Sequence, residues 1–236
     1  MATKRSSNSG SQAPQNPSKN GREEILSAFA AQWLEDGQAP RSVLRFCKAL
    51  GTSEATFYKH FPSLQAVEKA FWGDWISGAI AAVGKGVDWE GFSARERYLA
   101  FLFAVLQSAS ERRSLLLERF HGILPVSNPR VLEGLRSNFL AFARQIVDRG
   151  METGEIADRR GLDSLYPGIL YIHLRWVLDH YLNDESEGFE RTDAFIEKTV
   201  TLAFDLFRSQ AIDSAADLVR FLLPENPWNR CSGGGK

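Results

Sequence analysis

The sequence predicts an all-α fold, with a small N-terminal head of three helices and a larger helical domain behind it. Two observations predict this. From Gly21 onward, apolar residues recur every three to four positions in segment after segment, the period of a helix with one buried face. No stretch alternates apolar and polar residues long enough to make a useful strand, and no internal repeat of roughly 20–50 residues is visible.

Each element follows from its punctuation. Residues 1–20 are Ser, Asn, Gln, Pro and Gly with scattered Lys4, Arg5 and Lys19. Without an apolar face they read as a disordered basic arm, or equally as a solubilising tail. Asn20 with Glu23 resembles a capping box. Ile25, Phe29 and Trp33, widened by Leu26, Ala30 and Leu34, stripe the first helix, which Gly37 stops. Val43, Phe46, Cys47 and Leu50 face the second, and Gly51 ends it as a left-handed residue. Ser53 caps the third. Pro62 ends that helix, and Ser63 caps a fourth that runs to about Val83. Gly73 and Gly78 each cost that helix about 1 kcal/mol against Ala, so they are expected where it packs closely or bends.

After Gly84-Lys85-Gly86, Ser93 and Glu96 form a second capping box, ahead of Leu99, Leu102, Phe103 and Leu106. A short helix is predicted over 111–121 and a loop from Pro125 to Pro129. The helix over 130–153 carries Val131, Leu132, Leu135, Phe139, Phe142, Ile146 and Val147. Two strong helices, 164–183 and 191–209, flank a polar turn, and 211–223 reads as a last amphipathic helix. The expected organisation is therefore an arm over 1–20, a head over 21–68, a body over 69–223 and a disordered tail over 224–236.

Composition narrows the class. With 44% hydrophobic residues, 16 Phe and 6 Trp, the chain can bury a substantial core. No apolar run is long enough to span a membrane, and the polar first 21 residues lack the apolar segment of a cleavable leader. Cys47 and Cys231 stand far apart, which argues against a disulfide framework and fits a reducing cytoplasm. The chain carries a net charge of −1, yet residues 1–72 hold nine Lys or Arg against six Asp or Glu. A basic end on an acidic body is a modest electrostatic footprint for DNA.

Residues 42–61, SVLRFCKALGTSEATFYKHF, carry the most information. They read as two short helices joined at Gly51, the helix-turn-helix arrangement that places its second helix in the major groove. Phe57 is the inward anchor. Glu54, Ala55, Thr56, Tyr58, Lys59 and His60 are free to face outward, small or polar as base-edge reading requires. An ordinary pair of packed helices has the same spacing, so the pattern alone leaves both readings open.

The segment resembles the N-terminal domain of the tetracycline-repressor (TetR/AcrR) family. The resemblance rests on Ser42-Val43, on Ala49 through Ser53 and on Ala55 through Phe61, which match most of the recurring G-V-S-x-G/A-T-L/F-Y-x-H/Y-F pattern. Arg22, Ile25, Leu26 and Gly37 fit as well. It covers about residues 21–75. It implies a homodimer with 53–60 as recognition helix, reading the two half-sites of a palindromic operator in double-stranded DNA. Ala55 and Thr56 would approach bases, while Tyr58, Lys59 and His60 would contact phosphates, helped by Arg41 and Ser42. Tyr58 has a rival role, packing its ring against the first helix. Two residues depart from the pattern. Glu54 suits the helix dipole but repels phosphate unless a cytosine amino group meets it. Leu64 stands where the family commonly has Lys.

The resemblance makes 164–183 and 191–209 the dimer interface. The first is apolar almost all round and is expected to be buried on several sides. Helices 93–109 and 130–153 could enclose a cavity for an apolar or aromatic effector. Phe101, Phe103, Phe142, Tyr166 and Trp176 are candidate walls, and His121, His173 and Arg175 candidate polar anchors. Each residue also has a plain structural reading: aromatics at helical spacing are commonly core, and Arg175 with Asp179 suits an i, i+4 ion pair. His173 and His180 share a face without further metal ligands nearby, so neither metal nor cofactor is expected. No catalytic motif appears, which excludes any enzyme class that can be named from residues. The expected function is a ligand-responsive regulator of transcription, acting as a repressor. The alternative is a lipid or apolar-molecule carrier of the same fold without DNA recognition.

Overall fold

A computed structural model describes residues 17–84, 89–120, 126–127, 129–159 and 165–209. Among these residues the regular elements are all helices: α1 Pro17–Asp36, α2 Val43–Leu50, α3 Glu54–His60, α4 Leu64–Val83, α5 Ala94–Ser110, α6 Arg113–Phe120, α7 Glu133–Thr153, α8 Tyr166–Leu182 and α9 Glu190–Arg208. Single 3-10 turns precede α7 and α9. None of these helices is long and apolar enough to cross a membrane. The expected helix over 211–223 and the tail over 224–236 lie outside the described residues, as do residues 1–16 of the arm. Helix α1 begins three residues ahead of Asn20, so the Asn20–Glu23 pair sits within the helix rather than capping it, and 17–20 are helical rather than part of an arm.

The chain divides into two compact units, one ending at Ala70 and the other beginning at Phe71, so the boundary falls inside α4. The first unit is built on aromatic rings. Phe29 meets Trp33 and Phe46 edge-on at 5.7 and 6.4 Å, and Phe46 meets Phe57 at 6.0 Å. Edge-to-face pairs of this kind add to the burial each ring already contributes. Leu64, at the start of α4, is buried at 8% exposure.

The second unit packs α5, α7, α8 and α9 around Tyr98, Phe101, Phe139, Leu170 and Leu174, all fully buried. The Ser93–Glu96 capping box forms as expected at the start of α5. Helices α4 and α7 approach so closely that a Cβ on Gly73 would lie 3.3 Å from the Gly134 main chain. Asn138 fixes this crossing, donating to the Gly73 carbonyl at 3.0 Å and the Ser77 hydroxyl at 2.9 Å. Gly73 thus has the packing role expected of it, whereas nothing lies near Gly78.

Three expectations about α8 change. Its exposed residues Ile169, Ile172 and Trp176, with Leu165 just ahead of it, form one uncovered apolar stripe, so the helix is not buried all round within this chain. Arg175 does not pair with the exposed Asp179; it is 1% exposed and turns inward. His173 is a satisfied core histidine: Nδ1 meets the Tyr98 hydroxyl at 2.8 Å and Nε2 the Thr199 hydroxyl at 2.7 Å. Thr199 also donates to the Phe195 carbonyl at 2.6 Å and Tyr98 to the Leu170 carbonyl at 3.0 Å, so both hydroxyls are held in place against the ring.

Burial lowers the His173 pKa to about 4 from an ordinary 6.5. The unfolded chain therefore binds the extra proton first, and stability rises with pH between those values. Full above pH 6.5, this contribution is lost as pH falls to 4, a total of about 3 kcal/mol. Urea denaturation of the wild type from pH 7 to 4 should show that loss, and His173→Phe should flatten the dependence in that window.

Candidate nucleic-acid interface

Local sequence builds the α2–α3 pair. The Ser42 hydroxyl accepts the Arg45 N–H at 3.4 Å and starts α2. Gly51, at φ +71°, ends it, and the Thr52 N–H returns to the Cys47 carbonyl at 2.9 Å. Only glycine adopts that backbone without strain, which is why so tight a turn can be made here. Ser53 then caps α3, its hydroxyl accepting the Thr56 N–H at 3.1 Å and meeting the Thr56 hydroxyl at 2.9 Å. Phe57 is wholly buried and orients the helix.

That orientation leaves Ala55, Thr56, Tyr58 and Lys59 exposed on one outer surface, with Glu54 half-buried at its edge. Tyr58 is 52% exposed, so it is not a core residue, although its ring touches Phe57 edge-on at 5.4 Å. His60 departs from expectation. Its ring lies over Gly21 of α1, where an added Cβ would come within 2.7 Å of Nε2. A side chain held there joins α3 to α1 rather than reaching outward.

Beside this surface lies a feature that motif reading missed. Gln32, Asp36, Gln38, Ala39, Pro40, Arg41, Ser42 and Arg45 line a cleft of about 220 Å³ at the N-terminus of α2. Arg41 and Arg45 are both exposed. The N-terminal dipole and two guanidinium groups favour an anion such as phosphate, while the Asp36 carboxylate opposes one. The i, i+4 spacing of the two arginines was the available signal.

In the second unit, Phe101, Phe142, Tyr166 and His173 are buried together in the core, but Phe103 (40% exposed) and Trp176 (50% exposed) are on its surface and wall no interior. Both lie on the outward faces of their helices, where the periodicity that marks an apolar residue does not say which side it takes. His121 lies outside the described residues. Tyr98 and His173 tie α5 to α8, and Asp184 caps α9 by accepting from the Thr192 and Ser186 hydroxyls and backbone N–H groups at 2.6–2.9 Å. Those bonds, the Thr192 hydroxyl foremost, hold its carboxyl well below the usual range. His173 and His180 both stack on Phe195, and among the described residues no cluster of His, Cys, Asp or Glu could hold a metal ion.

The description of the tetracyclin repressor-like C-terminal domain matches residues 97–222, more than half of the chain. The chain belongs to the tetracycline-repressor family. No curated protein sequence matches it. Among solved structures, a TetR-family transcriptional regulator from Syntrophomonas wolfei aligns with a TM-score of 0.60 at 18% identity, covering 81% of this chain and 96% of its own. GusR of Salmonella enterica aligns at 0.57 and 22% identity, covering 80% and 96%. The fatty acid degradation regulator FadR of Bacillus halodurans aligns at 0.56 and 16%, covering 77% and 97%. Likeness at this identity shows the tetracycline-repressor fold, and the family places the chain in the class of DNA-binding regulators of transcription.

The orientation of α3 is set by the Ser53 cap and the burial of Phe57. Ser53→Ala removes the cap of a seven-residue helix and should cost about 1 kcal/mol. Urea denaturation followed by far-ultraviolet circular dichroism measures this, and Ser53→Asp should restore the loss.

Proposed function

We propose that this protein is a ligand-responsive repressor that binds a palindromic DNA operator as a homodimer. The outer surface of α3 carries the reading: small and polar side chains on a helix whose opposite side is anchored by Phe57. Ala55 and Thr56 meet base edges, Thr56 being suited to a thymine methyl or a polar edge. Lys59, Tyr58, Arg41, Ser42 and Arg45 hold phosphates. Selection from a random DNA pool should enrich palindromes at low and moderate salt; no enrichment at either would refute the reading. Lys59→Ala and Arg45→Ala should weaken binding alike across sequences, each reducing the salt slope by about one. Thr56→Ala should instead change the preferred sequence.

The dimer reading is supported by the uncovered apolar stripe. Ile169, Ile172 and Trp176 on α8, Leu165 just ahead of it, and Leu202 and Leu206 on α9 are all at least 36% exposed. Water-facing apolar residues at helical spacing on adjacent elements mark an interface, and self-complementary twofold pairing is the commonest closure. Ile169→Asp with Trp176→Asp should yield a monomer by analytical ultracentrifugation and abolish tight operator binding. A dimer surviving both changes removes this surface from the assembly.

Effector control works through α4. It is a single helix with residues in both units, so a ligand that shifts its second half carries the first half with it. The two recognition helices of the dimer then leave the roughly 34–36 Å separation that one turn of DNA demands. A second reading, a lipid carrier without DNA recognition, draws on Glu54 beside the reading surface and on the burial of Leu64. Stoichiometric lipid in native mass spectrometry, with no DNA shift, would favour it.

A further inference from the structure

Buried charges in the second unit are answered by partners, with one exception. Arg159 donates to the Tyr166 hydroxyl and to the Phe207 and Ser209 carbonyls. Arg97 donates to the Phe92 carbonyl at 3.1 Å and pairs with Glu90 at 3.8 Å. Asp184 accepts four hydrogen bonds. Arg175 is buried more deeply than any of these, at 1% exposure. One nitrogen, Nη1, donates to the Ser127 carbonyl at 3.2 Å, and the guanidinium carbon lies 5.0 Å from the centre of the Phe120 ring. Its Nε is buried with no hydrogen-bond partner, and among the described residues no carboxylate pairs with it.

One neutral carbonyl and one ring face do not replace the hydration of a full positive charge. Nor can the group escape by losing its proton, because arginine stays charged in proteins. Were packing its only task, an apolar side chain of similar volume would serve better. The surroundings are apolar: Phe120 packs edge-on against Trp72 at 5.7 Å, and Leu174 and Leu178 beside Arg175 on α8 are fully buried.

We infer that Arg175 anchors an anionic effector, a carboxylate carried on an apolar body and bound within the second unit. The guanidinium fork matches two carboxylate oxygens, and such charge-assisted bonds are strong where water is excluded. The apolar rings nearby suit the rest of the molecule. Arg175 on α8 faces Phe120 at the end of α6, so the ligand would bear on both helices. The inference rests on the reading of this unit as the effector domain. Its test uses no DNA, so its failure leaves operator recognition standing, and the failure of operator recognition leaves this test intact.

The experiment uses the full chain as wild type, Arg175→Met and Arg175→Lys. Dodecanoate and naphthoate are each compared with the matching alcohol, dodecanol and naphthylmethanol, by tryptophan fluorescence and thermal shift. At least one carboxylate should bind the wild type about tenfold or more tighter than its alcohol. Arg175→Met should lose that preference, and without ligand it should melt several degrees higher than wild type, since the unpaired charge is gone. Arg175→Lys should keep part of the preference. The inference is overturned if neither carboxylate outbinds its alcohol, or if Arg175→Met retains the preference. It is equally overturned if Arg175→Met melts lower or fails to fold, which would make Arg175 a structural clamp on Ser127 and Phe120.

Discussion

One helix serves two hydrophobic cores. Helix α4 contributes Leu64 and Val67 on one side of the boundary at Ala70, and Trp72, Trp75, Ile76, Ala79 and Val83 on the other, all buried. Its second half is held at defined points: Asn138 bonds the Gly73 carbonyl, Trp75 Nε1 donates to the Ser108 hydroxyl at 2.9 Å, and at the Gly73–Gly134 crossing a Cβ would be in tight contact with the facing main chain. A close-packed crossing of this kind has few intermediate positions, because interiors are packed like crystals. Within the second unit, the later half of α4 is therefore tied to α5 and α7.

The polar groups of the second unit divide by how they are satisfied. The Tyr98–His173–Thr199 chain, the Asp184 cap and the Arg159 clamp close the ends and crossings of α5, α8 and α9, and each bond made there fixes one relative placement. Glu155 works alike, accepting the Ala94 and Arg95 N–H groups and so completing the start of α5 from a distant segment. Such networks specify a unique core because leaving any member unpaired in low dielectric is costly. Arg175 stands apart from them for that same reason.

The surface of α8 and α9 is equally uneven. The inward sides bury Leu170, Leu174, Val177 and Leu178 on one helix and Ile196, Val200, Phe204 and Phe207 on the other. The outward sides still present Ile169, Trp176, Leu202 and Leu206. Two apolar sides on one helix explain why α8 reads as hydrophobic all round, and only one of them is covered by this chain.

The sequence by itself determined the helices and the head. Glycine, serine and proline act through the backbone of their own residue or the next few, so Gly51, Ser53 and the Ser93–Glu96 box were legible without a fold. The 3.6-residue period likewise marked Phe29, Trp33, Phe46 and Phe57 as one inward set. Tertiary structure decided what local rules do not carry. It turned His60 onto Gly21, exposed Tyr58 and Trp176, buried Leu64, and satisfied His173 with partners from α5 and α9. It also separated Arg175 from Asp179 by turning one inward and leaving the other in water. Periodicity states that a side chain is apolar or charged, but which neighbour it meets depends on segments tens of residues away, and those contacts exist only once the helices are packed.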